Sequence, residues 1–173
     1  MTEGVAFMRN ALRFLFVAIM AALLAASWSG AASADLIGGQ RTQYGGGTYA
    51  EADLSNHTFT VTANGETRVM PASMGKPGFE TPTGTFSVLE KDRAVVFDSR
   101  TIGIPLDDPE GYIIDGEYAV RLTWGGVMVH SAPWSVDSQG YANVSHGCIN
   151  LSPENAAWYY ENVGIGDQVY IHW

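Results

Sequence analysis

The stretch from His130-Ser131-Ala132-Pro133-Trp134 to Ser145-His146-Gly147-Cys148-Ile149-Asn150 holds the chain's single cysteine and two of its four histidines within nineteen residues. A thiol nucleophile needs a base to take its proton and N–H donors to hold the oxyanion that its attack creates. Cys148, the imidazoles of His130 and His146, and Gly147, which lets the backbone turn tightly beside the sulfur, are candidates for those parts. A free thiol titrates near ~8.5, so thiolate is scarce at neutral pH unless an imidazole or a nest of N–H groups stabilises it. Two other readings fit the same residues. Cys148 can be a small buried hydrophobe flanked by satisfied histidines. Alternatively His130, His146 and Cys148 can supply three zinc ligands with an open fourth position, although there is no second cysteine and His146 and Cys148 stand too close for an unstrained chelate.

His130, a gap of fourteen residues and Ser145-His146-Gly147-Cys148-Ile149-Asn150 together resemble the signature of bacterial L,D-transpeptidases. The likeness extends to Lys76-Pro77-Gly78-Phe79-Glu80-Thr81-Pro82-Thr83-Gly84, which is similar to that family's glycine- and proline-rich loop, and Asp53 to Val169 reads as one catalytic domain. The resemblance implies a mainly β fold, an L,D-transpeptidase-like β-sandwich or barrel with one helix packed after the catalytic motif. It also implies acyl transfer on peptidoglycan stem peptides: Cys148 attacks a donor tetrapeptide, D-alanine leaves, and an amine takes the acyl group. His130 is then the base, with the Ser131 carbonyl orienting its ring. Gly147 and Cys148 supply oxyanion donors, and Tyr112 adds a hydroxyl. His146 shapes the pocket. Asn150 and Ser145 stand with the substrate, while Trp134 and Phe97 line a channel under a lid of residues 98–120. No metal or cofactor is expected, and penem-type β-lactams are expected to acylate the thiol. Two other functions are compatible with these residues: a carboxypeptidase passing the same acyl-enzyme to water, and a non-catalytic wall-binding module.

Around this stretch the pattern is β. Phe59 and Val61 alternate with threonines, and Asn64-Gly65 then signals a hairpin. Residues 85–90, 94–97, 118–124, 127–130 and 168–172 are β-branched or aromatic runs between turns. A two-residue turn at Gly125-Gly126 would pair Trp124 with Val127, Leu122 with Val129 and Arg121 with His130. Those two valines, Leu122 and Trp124 then belong to the core, and His130 faces the other way beside Arg121 and Met128. One helix is signalled by Ser152 as cap, Pro153 at its first position, Glu154 in its first turn and Gly164 beyond its end. Trp158 and Tyr159 on it are read as packing residues.

At the other end, Arg9 and Arg13 precede thirteen apolar residues, Phe14 to Ala26, and then Ala32-Ser33-Ala34. This is a secretory signal pattern with cleavage expected after Ala34, too short for a span of about 20 residues unless it is kept as an uncleaved anchor, the only membrane contact expected. The protein is therefore expected in the periplasm or cell envelope. Residues 35–51 read as a glycine-rich linker and 52–173 as the domain. Residues 1–34 hold two arginines and one glutamate, so of the chain's net −9 the remainder carries −10, which excludes nucleic acid as a partner.

Overall fold

The computed structural model describes residues 47–173; the signal pattern, its cleavage point and the linker up to residue 46 lie outside the described residues. Strands β1 (Tyr49–Asp53), β2 (Thr58–Ala63), β3 (Glu66–Pro71) and β4 (Gly84–Ser87) join β9 (Gln168–His172) in a five-stranded sheet of order β3-β2-β1-β9-β4. The other sheet, of order β5-β6-β7-β8, comprises β5 (Glu90–Asp98), β6 (Ile113–Arg121), β7 (Met128–Ser131) and β8 (Ile149–Leu151). Helix α1 (Pro153–Asn162) follows β8 directly.

Alternation in β2 buries Phe59, Val61 and Ala63 and turns Thr58, Thr60 and Thr62 outward. Asn64 and Gly65 have φ of 52° and 79°, the left-handed pair that a two-residue turn needs to match strand twist. Val120, Val129, Ile149 and Leu151 of the second sheet close one apolar core with Phe59, Val61, Met70, Val169 and Ile171 of the first. Ser152 caps α1 by accepting from the Asn155 N–H (3.3 Å), and Pro153 sits where its missing N–H costs nothing. Tyr159 is fully buried with its ring edge-on to Phe59 (4.9 Å), and Trp158 packs against the core under the Arg68 guanidinium (4.2 Å).

Several expected boundaries move. Residues 49–51, placed in the linker, are the start of β1, because they pair with β2 on one side and β9 on the other. The run 85–90 is broken: β4 ends at Ser87 and Glu90 opens β5. Of the run 118–124, only residues 118–121 are strand, the tail of a longer one that begins at Ile113, so the irregular part of the expected lid is residues 99–112 and not 98–120. Within that strand Tyr118 takes φ 54°, and the β5–β6 ladder skips it and Arg93, whose guanidinium lies 3.9 Å from the tyrosine ring centre.

The β6–β7 register is also corrected. Val120 pairs with Val129 and Arg121 with Met128, because the turn is wider than two residues: the Val127 carbonyl accepts from the N–H groups of both Leu122 and Thr123. Trp124 is consequently 75% exposed and Val127 only half-buried. A slip of two residues preserves which side chains face the core, so Val129 and Leu122 remain buried there and His130 still faces away.

The Tyr159 hydroxyl is buried without a hydrogen-bond partner among the described residues. An unpaired buried hydroxyl costs roughly 1–3 kcal/mol. Tyr159→Phe should therefore raise the urea midpoint, by about 1 kcal/mol of unfolding free energy, whereas Phe59→Ala should lower it by roughly 3–5 kcal/mol through lost burial and a cavity. A Tyr159→Phe protein less stable than wild type would show that the hydroxyl is satisfied in solution.

Candidate active site

Strands β7 and β8 run parallel, with His130 level with Asn150. Cys148 immediately precedes β8, and residues two apart on an extended chain share a face, so Cys148, Asn150 and His130 project to one side. That side is a cavity of about 550 Å³ whose lining includes Phe97, Tyr112, Arg121, His130, Trp134 and Cys148, with His146, Ser145 and Asn150.

Two residues fix the turn before the cysteine. The Ser145 hydroxyl donates to the Cys148 carbonyl (2.6 Å) and accepts from the Gly147 N–H (3.1 Å). Thr81 accepts from the Gly75 N–H (2.9 Å) and donates to the Gly147 carbonyl (3.0 Å), tying the Lys76–Gly84 loop to the motif. Gly147 holds φ 114°, in the region where a Cβ is strained. The expectation for Gly147 is corrected here: its N–H is already bonded, so among the described residues the Cys148 N–H is the donor beside the sulfur that the turn leaves free. Ser145 likewise is engaged within the turn and braces the nucleophile instead of offering its hydroxyl to the cavity.

The Nδ1–H of His130 donates to the Ser131 carbonyl (2.8 Å), which leaves Nε2 as the ring's acceptor. Phe97 (4.3 Å between ring centroids) and Trp134 (5.9 Å) pack against the imidazole, which is 3% exposed. This burial pushes its pKa down to about 4, with the Ser131 carbonyl pulling the other way. Burial pushes the Cys148 thiol up to about 11, against the opposing pull of the Met128 backbone amide and the Arg121 charge. The thiol donates to the Gly126 carbonyl (3.5 Å). Both groups are therefore neutral at pH 7, and the pair at rest is thiol and imidazole.

Burial also raises the pKa of the Tyr112 phenol, as do the nearby Cys148 and Asp98, so its hydroxyl remains a donor. His146 is placed differently from His130: its Nε2 meets Glu110 (3.1 Å), and its ring lies between Phe79 (4.7 Å) and Tyr112 (5.4 Å). Glu110 also holds Lys76, and these partners, Lys76 first, keep its carboxyl below the ordinary range. Asn150 turns its amide nitrogen to Ser135 (3.1 Å). Glu110, Ser135 and Gln139 carry no signal in the sequence that would assign them to the site, because each acts through a partner distant along the chain or through a side-chain network. Among the described residues no three or more His, Cys, Asp or Glu side chains cluster to hold a metal ion; His130 and His146 are turned to Ser131 and Glu110 respectively.

The family model YkuD, the L,D-transpeptidase catalytic domain, matches residues 47–171. L,D-transpeptidase 1 of Mycobacterium tuberculosis is 65% identical over 119 residues, covering 68% of this chain and 47% of that protein. The fold matches the solved structure of LD transpeptidase LdtMt1 in complex with imipenem at 61% identity and TM-score 0.70, over 72% of this chain and 58% of that one. It also matches L,D-transpeptidase 3 from Mycobacterium tuberculosis in complex with a faropenem-derived adduct at 47% identity and TM-score 0.71, over 73% and 60%. The chain spans about half the length of the curated relatives it matches.

Because only the thiolate is alkylated, a thiol titrating near 11 should react slowly with iodoacetamide at pH 7, and the rate should climb about tenfold per pH unit to pH 10. Intact-mass time courses read this directly. A plateau reached below pH 9 would mean that the thiol is not raised by its surroundings, and one reached below pH 7 that the site holds a resting thiolate.

Proposed function

Because the chain belongs to the family of L,D-transpeptidase catalytic domains, we propose that it transfers the acyl group of a peptidoglycan donor stem through a Cys148 thioester to an acceptor amine. The observation supporting this is the joint placement of Cys148 and His130 on one wall of a single cavity, with the imidazole locked in the tautomer whose Nε2 is free.

The stem's amide carbonyl carbon receives Sγ of Cys148 while His130 Nε2 takes the thiol proton. Proton transfer accompanies attack, since the lowered imidazole and the raised thiol both favour the neutral pair at rest. The tetrahedral oxyanion is held by the Cys148 N–H and the Tyr112 hydroxyl. Collapse breaks the carbon–nitrogen bond, and the proton on Nε2 goes to the departing amine, D-alanine. An acceptor amine then attacks the thioester, returns a proton through Nε2 to sulfur and leaves with the acyl group. Trp134 and Phe97 flank the base and keep water from it. The N-terminal signal pattern supports export to the envelope, where this substrate is found; N-terminal sequencing of secreted protein should then begin at Asp35.

A donor tetrapeptide stem mixed with an amine acceptor should give crosslinked product and free D-alanine by mass spectrometry. Cys148→Ser should abolish both, because a hydroxyl is far less acidic than a thiol and His130 has no carboxylate behind it. Crosslinking retained by that variant would remove Cys148 as nucleophile. The same thiol should open penem β-lactams and keep the adduct. His130→Ala should slow this acylation more than tenfold at pH 7 and recover part of it towards pH 10 as unassisted ionisation takes over. Equal rates for the two proteins at pH 7 would show that His130 is not the base.

A further inference from the structure

Among the described residues the cavity lining holds a single arginine or lysine, Arg121, and no step of the acyl transfer above uses it. Arg121 ends β6 level with Met128 of β7. Cys148, one residue before the Val129–Ile149 pair, is level with Met128 by the register of β7 and β8. The three residues therefore form one row across three strands, on the face that carries His130. Adjacent strands lie about 4.8 Å apart, so Arg121 and Cys148 stand roughly 10 Å apart at Cα, a gap that an arginine side chain and a bound carboxylate span together. His130, two residues beyond Met128, is the diagonal neighbour of Arg121 at about 7–8 Å. The thiol turns toward the same end of β6, donating to the Gly126 carbonyl of the β6–β7 turn (3.5 Å). Glu90, opposite Arg121 on β5, accepts from its Nε (2.7 Å) and so fixes the guanidinium plane. Nη1 and Nη2 have no hydrogen-bond partner among the described residues, and 19% of the side chain is exposed, so the fork's unused edge is open to a ligand.

We infer that Arg121 is a specificity-determining residue whose Nη1 and Nη2 groups hold the terminal carboxylate of the residue that leaves, so that the thiol meets the last amide of the stem and no earlier one. This rests on the proposed acyl transfer for its ligand, while an anion site beside the thiol does not. Two parallel N–H bonds from a guanidinium match the two oxygens of a carboxylate. In an amino acid the carboxylate carbon is two bonds from the amide nitrogen, so a carboxylate on Arg121 sets the scissile nitrogen between the fork and His130, the group that must protonate it. A stem capped as an amide, or longer by one residue, puts a neutral carbonyl there and leaves the charged fork unmet. The guanidinium charge also acts on the Cys148 thiol, opposing the effect of burial.

Donor stems ending in a free carboxylate or in a carboxamide are compared on wild type, Arg121→Gln and Arg121→Lys. The carboxamide should lower kcat/KM roughly tenfold or more in wild type but less than about threefold in Arg121→Gln, because the charge-assisted pair is then missing from both stems. A merely structural role would lower activity on both stems alike, so equal carboxamide penalties in wild type and Arg121→Gln overturn the inference. Alkylation of Cys148 at pH 9 by iodoacetate, which carries a carboxylate, and by iodoacetamide, which does not, probes the site without substrate. The ratio of the two rates cancels any change in thiolate fraction; it should fall about fivefold or more in Arg121→Gln, and Arg121→Lys, which keeps the charge, should retain most of it. An unchanged ratio in Arg121→Gln overturns the inference, as does a lysine variant that falls to the level of glutamine in both assays, since damage to the site would then explain the losses. If no stem is turned over by any protein, the proposed acyl transfer falls and with it the leaving carboxylate as ligand, while the alkylation ratio still decides whether Arg121 holds an anion beside Cys148.

Discussion

The site depends on the parallel pairing of β7 with β8. An antiparallel pair can be joined by a two-residue turn, but parallel neighbours need a crossover of a dozen residues or more. The seventeen residues from Ala132 to Cys148 are that crossover, holding all but the first residue of the fourteen-residue gap in the motif and carrying the chain past Trp134 and back to the start of β8. The spacing in the motif is therefore a topological length. It brings base and nucleophile onto one face of adjacent strands, with Val129, Ile149 and Leu151 buried in the core to hold the register.

The surrounding protein acts oppositely on the two reacting groups, the buried His130 and the half-buried Cys148. Burial lowers the imidazole to about 4 and raises the thiol to about 11. A resting ion pair is thus disfavoured, unlike in sites where a low-pKa cysteine waits as thiolate. What the environment withholds from the resting thiol it can return in the transition state, because donors already fixed in place act on developing charge without the reorganisation that water requires. Phe97 and Trp134 serve this balance by packing on the base. Gly116 allows it, since a Cβ there would collide with the Phe97 ring.

That Cys148, His130 and Asn150 meet at one cavity was legible in the sequence because they lie in one continuous motif and a partner eighteen residues before the cysteine, and the outward-facing His130 followed from alternation alone. The hairpin register was not legible. Gly125-Gly126 suggested a two-residue turn, but Thr123 adds its own contacts, its hydroxyl accepting from the Val127 N–H, and widens it. The facing survived only because the slip was even. Gly147 shows a different limit: its neighbourhood predicted a free N–H, whereas the Ser145 hydroxyl two residues earlier takes it. Side-chain bonds inside a turn leave no trace in residue type. The start of β1 was hidden for another reason, since Tyr49 to Glu51 follow a run of glycines and owe their strand to β9 at the far end of the chain.

Accounting for polar groups around the cavity separates scaffold from reactive surface. Buried donors and acceptors are nearly always paired inside a protein, so those left over call for an external partner. Ser145 satisfies Gly147, Thr81 satisfies Gly75 and the Gly147 carbonyl, Ser131 takes the histidine N–H, and Ser135 takes the Asn150 nitrogen. After these bonds two groups of the motif remain beside the sulfur and the base: the Nε2 lone pair of His130 and the Cys148 N–H. A thiol proton and an oxyanion are their respective complements. Both complements would arise in the proposed attack of the Cys148 thiol on an acyl carbonyl, so the groups the scaffold leaves unpaired are the ones that such a step would use.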